Sequence, residues 1–380
     1  MSTTPLRVGL DLTWLVPGVV GGSEEYTVRL LAGLAELDPP DIDLTVYALD
    51  ALVEAHPWLA ETFPVRTLPL SGRLKPLRVA AQSSWLVQRA LRDRRRVLHH
   101  AGGFVPALWP GRPTVLTVYD LQPFVMPENF SLAKRVFTRL TVPASVRSAD
   151  LVITLTATVR ADLIRRFGID ANRIRLVAPG LGPRTGDVAP IDEVRARHGI
   201  GPRWFVYPAA TWPHKNHTVL VDALAEMADP DVELVLTGRA DAAEDALVER
   251  IRARGMEARV HRVGRIPRPE LDALVRGALA LLFPSTFEGF GTPVLEAMAD
   301  GCPVVAADAT ALPEVVGDAG MLVPPSDVRA WSDAMSEIAS DAELRRRLTT
   351  AGRRRARAFS ARSSATALAR AYRTAAGAAR

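Results

Sequence analysis

One cysteine, Cys302, in 380 residues leaves no partner for an intrachain disulfide. That scarcity predicts a protein of a reducing compartment. No stretch reaches the ~18 consecutive apolar residues that span a bilayer. The first residues, MSTTPLRVGLDL, lack the apolar segment of a secretory signal and run straight into a strand pattern. Together these absences predict a cytoplasmic chain. No low-complexity tract occurs and the two halves share no sequence repeat. The arginines lack interleaved aromatics and no nucleic-acid motif is present, which argues against a nucleic-acid partner.

Other features are plentiful. Apolar residues make up 48% of the chain and charged ones 23%, as in a soluble globular protein. Its length of 380 residues exceeds one typical core and suits two domains. The net charge of +5 is unevenly spread. Residues 1–190 hold 22 Lys and Arg against 17 Asp and Glu, whereas residues 191–344 hold 14 against 25. A basic first half suits an anionic membrane face or a phosphorylated substrate, or is a set of solvated helix faces. The segment RALRDRRR, 89–96, is where a membrane-bound acceptor would meet it, giving peripheral contact at the inner membrane face.

Short apolar runs alternate with helix-like segments along the whole chain. Six fall in the first half (7–12, 44–49, 96–100, 114–120, 150–155, 174–179). Six more fall in the second (203–209, 232–238, 258–264, 278–284, 303–308, 320–325). Unbroken apolar runs separated by helices mark parallel strands buried on both faces. The expected fold class is therefore α/β, with two doubly wound, Rossmann-like domains. Their boundary is expected in the Gly- and Pro-rich stretch 178–190, giving domains 1–182 and 183–358, followed by a terminal helix within 359–380. In such sheets ligands bind outside the carboxyl ends of the strands, so the loops there hold the candidates.

The stretch FEGFGTPVLEAMADGCP, 287–303, follows a buried strand pattern. Thr292 reads as an N-cap and Pro293 as the first helical residue, with the helix ending at Asp300 before Gly301. The N–H groups from Gly289 through Phe290 and Gly291 to Thr292 form an anion site suited to a diphosphate. Glu296, one turn inside, is placed to accept hydrogen bonds from ribose hydroxyls, and Glu288 to face what the diphosphate carries. The plainer reading is a capped helix with two solvated glutamates. Lys215, in YPAATWPHKNH, sits in a strand-to-helix loop where it would neutralise a diphosphate; otherwise it is a surface lysine. His214 and His217 lack a third ligand for a metal.

Gly21 and Gly22 follow the first strand and let a ligand approach the backbone. Glu24 and Glu25 in the following turn would weaken a phosphate site, so this loop reads as a lip facing a sugar. Tyr119 and Asp120 end the fourth of the listed runs; Asp120 would bind a sugar hydroxyl or cap the next turn. His99 and His100 end the preceding run, as acceptor contacts or as structural histidines.

Together the Gly-Gly-Ser-Glu-Glu loop, PHKNH and FPSTFEGFGTPVLEAMADGCPVVAAD resemble the retaining glycosyltransferases of GT-B family 4, along nearly the whole chain. The subgroup resembled is that of bacterial mannosyltransferases. The resemblance implies two Rossmann-like domains facing a cleft, with the last helix crossing back to the first. It implies a nucleotide-diphosphate sugar as donor: Glu296 on ribose, Lys215 on the diphosphate, and Gly289, Phe290, Gly291 and Thr292 near phosphate and sugar. Gly21, Gly22, Arg265 and Ile266 complete that set. Glu288, Lys215, Tyr119 and Asp120 would be the catalytic residues, and His99 and His100 would meet the acceptor, a saccharide, lipid-linked or small natural-product hydroxyl. It implies no cofactor and no metal, with retention of the anomeric configuration.

Two positions depart from the family pattern. Tyr119 stands where the family has histidine, and Ala210 where many members have arginine, leaving Lys215 alone unless Arg239 or Arg265 reaches in. These departures keep open a second reading: a catalytically weak sugar-nucleotide binder that partners an active homologue.

Overall fold

The structure, a computed structural model, describes residues 4–19, 21–70, 79–80, 82, 84–102, 112–182 and 186–378. The chain divides into two compact units, residues 1–182 with 359–380 and residues 183–358.

The first unit holds seven parallel strands, six of them formed by the apolar runs: β1 (Leu6–Asp11), β2 (Ile42–Leu49), β3 (Val65–Leu68), β4 (Val97–His100), β5 (Thr114–Val118), β6 (Leu151–Thr154) and β7 (Ile174–Leu176). Their order is β3-β2-β1-β4-β5-β6-β7. The edge strand β3 was not among the runs picked out above. It has only four residues, Pro64 and Pro69 flank it, and its burial is partial, so no unbroken apolar run marks it.

The second unit holds β8 (Trp204–Pro208), β9 (Glu233–Thr237), β10 (Val260–Gly264), β11 (Ala280–Phe283), β12 (Val304–Ala307) and β13 (Met321–Val323). These pair in parallel in the order β10-β9-β8-β11-β12-β13. The central strands are buried on both faces, with Val206, Leu281, Leu282 and Val305 wholly inaccessible.

Both sheets reverse strand order once, between β1 and β4 in the first and between β8 and β11 in the second. At such a point the loops leave neighbouring strands in opposite directions and open a crevice. The helices needed below are α1 (Gly22–Leu37), α2 (Trp85–Arg92), α3 (Leu132–Ser148), α4 (His217–Glu226), α5 (Arg268–Gly277) and α6 (Thr292–Asp300).

The last helix, Ala361–Ala378, packs along α1 within the first unit. Two glycines let the backbones meet: a Cβ on Gly33 or on Gly180 would lie 2.6 Å from the carbonyl oxygen of Ala361 or Ser360, respectively. Arg373 then grips Asp41 with two hydrogen bonds, of 2.6 and 2.7 Å, and Tyr372 is wholly buried.

In the arginine run 89–96, Arg92, Arg94 and Arg96 are exposed. Arg89 and Arg66 both lie within ion-pair reach of Asp93, at 3.5 and 3.6 Å, while α2 buries Leu86 and Ala90.

Candidate active site

The second unit builds its site from the loops after β8 and β11, the two strands at its switch point. The first loop ends in a 3₁₀ turn, Pro213–Lys215, and Asn216 then takes a left-handed conformation at φ +55° before α4 begins. Asparagine tolerates that region better than most residues. Its side-chain amide donates to the Pro325 and Pro284 carbonyls, at 2.7 and 3.3 Å. Tyr207, buried in β8, donates its hydroxyl to the Lys215 carbonyl at 2.9 Å. The Lys215 carbonyl is thus held from β8, and Asn216 beside it from the loops after β11 and β13.

The loop after β11 is tied to the first. The Thr286 N–H donates to the His214 carbonyl at 2.8 Å, and the Ser285 hydroxyl reaches the same oxygen. The Glu288 N–H donates to the Thr310 hydroxyl at 2.9 Å. Thr310 has φ +48°, an uncommon conformation for a β-branched residue. These ties bring Lys215 Nζ to 2.5 Å from Glu288 Oε1, with both side chains below one-fifth exposed.

After the glycines, α6 starts differently from the expectation. Gly291, at φ +103°, is the N-cap, and Thr292 is already helical. No side chain caps this end. Glycine serves there because the backbone is left-handed, a region Thr292 would occupy only under strain. The helix still ends at Asp300 with Gly301 left-handed beyond it. Phe290 points inward and is 5% exposed, so only its backbone can meet a ligand.

Glu296 lies four residues into α6, and its carboxylate pairs with Arg268 of α5 at 3.1 Å. Arg268 was not among the residues singled out from the sequence. It sits 28 residues away on another helix, and no local pattern marks it. Asn216 left more of a trace, since an asparagine just before a helix is a familiar left-handed residue. Of the cations weighed as partners for Lys215, Arg239 pairs with Asp241 at 2.7 Å and Arg265 is exposed beside half-buried Ile266.

His217 is buried and His214 half-buried, and both are electrically quiet. Burial pushes both pKa values down to about 4, with the Lys215 charge adding to the shift. His217 stacks on Tyr207, ring centroids 4.6 Å apart. Among the described residues no group of three His, Cys, Asp or Glu gathers as a metal site. A cavity of about 220 Å³ opens beside this loop pair, lined by Ala209, Thr211, His217, Gly238, Glu244 and Gly264. A larger one, about 640 Å³, lies along the edge strand β10 between Arg197, Arg252 and His261; neither of the two loops reaches it.

The first unit's switch point is a closed polar network. Asp11, wholly buried at the end of β1, accepts from the Thr13 N–H and hydroxyl, from Gln82 at 2.9 Å and from His100 Nδ1 at 2.9 Å. Burial raises its pKa, but these bonds outweigh burial and leave it below the usual carboxylate value.

Three expectations change here. His99 is 1% exposed, and its two ring nitrogens are taken by Tyr372 and Thr117, at 2.9 and 2.8 Å. It anchors the last helix and presents nothing to an acceptor. Burial, aided by His100, drives its pKa down to about 3. Tyr119 likewise offers no free hydroxyl: it donates to the Ala101 carbonyl at 2.8 Å and meets Thr27 at 3.0 Å. Tyr26 and Trp14 pack against its ring, and burial raises its pKa far from any base. Asp120 caps the following turn through the Gln122 N–H, at 2.8 Å.

Gly21 is the left-handed N-cap of α1, and Gly21 and Gly22 both border open space. Glu24 closes the loop below them by accepting from the Gly18 N–H at 2.7 Å and meeting His56 at 3.0 Å.

Comparison with known proteins places this architecture. Residues 190–355 match the family model for glycosyl transferases group 1, and residues 20–184 match that for Glycosyltransferase Family 4. The O-antigen chain mannosyltransferase RfbU of Salmonella typhimurium is 26% identical over 83% of this chain and 87% of its own. The O-antigen chain mannosyltransferase B of Escherichia coli is 30% identical over 71% of this chain and 72% of its own. Among solved structures, Anabaena Alr3699/HepE in complex with UDP and glucose superposes with a TM-score of 0.76 at 23% identity, covering 97% and 100% of the two chains. The fold is accordingly GT-B, and the chain belongs to glycosyltransferase family 4.

Proposed function

We propose that this glycosyltransferase moves a hexose, mannose in the first instance, from a nucleotide-diphosphate sugar to a hydroxyl of a saccharide, lipid-linked or small natural-product acceptor, with retention at the anomeric carbon. One observation carries the reading: the Lys215–Glu288 contact at the switch point of the second unit, beside a helix start that no side chain caps. Lys215 and the N–H groups at the start of α6 supply positive potential for the charge that grows on the leaving diphosphate. Glu288 orients the sugar, and Glu296 takes the ribose hydroxyls once Arg268 yields. In the transfer, the bond from the anomeric carbon to the diphosphate oxygen breaks and a bond to the acceptor oxygen forms on the same face. The acceptor's proton passes to the departing phosphate oxygen, so no protein base is required. That fits Tyr119 and His99, whose polar atoms are already engaged. Mannose is favoured because two relatives are mannosyltransferases by name.

The test is release of free nucleotide from a panel of GDP-, UDP- and dTDP-sugars, with and without saccharide acceptors. Transfer to at least one acceptor, with the product's anomeric configuration read by NMR, is expected. Tight donor binding with no turnover on any acceptor would instead favour the partner-protein reading.

A further inference from the structure

The least explained surface lies on α3. Of the large apolar side chains exposed among the described residues, Leu132, Val136, Phe137 and Leu140 all fall on this one helix. Leu132 is 70% and Leu140 71% exposed. At 3.6 residues per turn these four share one sector with the exposed Ala133 and Ala144. The opposite sector carries Val142 and Val146, which are buried with Leu116 and Val118 in the core. Core packing therefore explains one apolar stripe of α3 and leaves the second facing water, an arrangement that marks an interaction site.

Charge says what covers it. Residues 132–148 contain Lys134, Arg135, Arg139 and Arg147 and no acid. Lys134 and Arg139 flank the apolar sector and exposed Arg147 lies within it toward the helix end, while Arg135 lies on the core side. The Lys134 ammonium is 4.4 Å from the Phe130 ring. The nearest acids in sequence, Glu128 and Asp150, lie beyond both helix ends, and Asp150 is occupied by the Thr114 N–H and hydroxyl. A second copy docked helix to helix would set these cations against their equals. Anionic headgroups would neutralise them while the leucines enter the acyl boundary.

We propose that α3 is an interfacial helix that seats the first unit on an anionic lipid surface, with Leu132, Val136, Phe137 and Leu140 inserted and the cations at headgroup level. This contact would stand beside that expected of the 89–96 arginines, and it is independent of which donor or acceptor the enzyme uses.

The test is co-sedimentation of the full chain with phosphatidylcholine vesicles, alone or containing roughly one-third phosphatidylglycerol. Binding to the anionic vesicles, weakened by high salt and much lower on phosphatidylcholine alone, is expected. The double variant Leu132→Ser/Leu140→Ser should bind about tenfold more weakly or worse, since two exposed leucines lose their burial in the bilayer. Arg139→Gln/Arg147→Gln should lose several-fold on anionic vesicles and little on neutral ones. All these side chains face solvent, so unchanged melting temperatures are expected; should the leucine pair fail to fold, the arginine pair decides. Wild-type protein that ignores anionic vesicles, or folded variants that bind as the wild type does, would overturn the proposal. So would a wild-type dimer, seen by sedimentation velocity, that the leucine variant dissolves while vesicle binding is absent.

Discussion

The two sheets end in switch points of the same topology and opposite chemistry. In the first unit, Asp11, His99 and Tyr119 spend their polar atoms on their own surroundings: Thr13, Gln82 and His100; Tyr372 and Thr117; Ala101. In the second, the groups that meet are opposite charges carried on different elements, Lys215 with Glu288 and Arg268 with Glu296. A buried network whose polar groups are already satisfied gains little from a ligand and loses a good deal if disturbed. A pair of charges at a loop mouth can exchange one partner for another, an ammonium for a diphosphate or a carboxylate for sugar hydroxyls. The comparison marks one end as scaffold and the other as the proposed donor site.

The strongest way to break that comparison is Lys215→Ala. It removes the positive charge opposite the leaving group and leaves Glu288 unpaired, so kcat/KM should fall by about a thousandfold, the scale of a lost electrostatic contact to a leaving oxyanion. Steady-state kinetics with the natural donor measures it, and a loss under tenfold would move the donor elsewhere.

Next in size is the pH dependence of stability, to which His99 at the scaffold end adds the largest single share and His214 and His217 add theirs. His99 stays neutral in the folded unit because burial holds its pKa near 3, whereas the unfolded chain takes up a proton below about 6.5. Its contribution is whole above that value and is lost as pH falls, by about 1.4 kcal/mol per pH unit. Urea unfolding at successive pH values from 7 downward should show the slope, and His99→Leu should reduce it, leaving the part due to His214 and His217, whatever that substitution does at neutral pH.

Glu296→Ala should come third. Hydrogen bonds to a charged group contribute roughly 1.5–3 kcal/mol, so donor KM should rise on the order of tenfold to a hundredfold with kcat less affected. A kcat effect with KM unchanged would remove Glu296 from the ribose.

The smallest effect sharpens the comparison most. Tyr119→Phe should cost about 1 kcal/mol of stability through the lost bond to Ala101, and leave kcat within a few-fold. A collapse of kcat with stability intact would return Tyr119 to the chemistry.

Much of the site was legible because it is written in single loops. The glycines between Glu288 and Glu296 carry a backbone signal that local rules read, an anion-binding helix start, whereas the left-handed Asn216 after Lys215 went unread. The Thr292 cap misread has the same origin, since Thr-Pro at a helix start resembles a cap until the φ of Gly291 is known. His99, Tyr119 and Arg268 were opaque for another reason. Their roles depend on residues far along the chain, Tyr372 at 273 positions from His99 and Glu296 at 28 from Arg268. The short edge strand β3, between two prolines, carried too few apolar residues to register.

By itself the sequence determined the two parallel sheets, through unbroken apolar runs that only doubly covered strands can bury, and the elements of the proposed donor site that travel within one loop. Tertiary structure alone decided which polar groups were left for a ligand. A buried hydroxyl or imidazole goes to whichever partner the fold brings within about 3 Å, and no residue announces its distant partner.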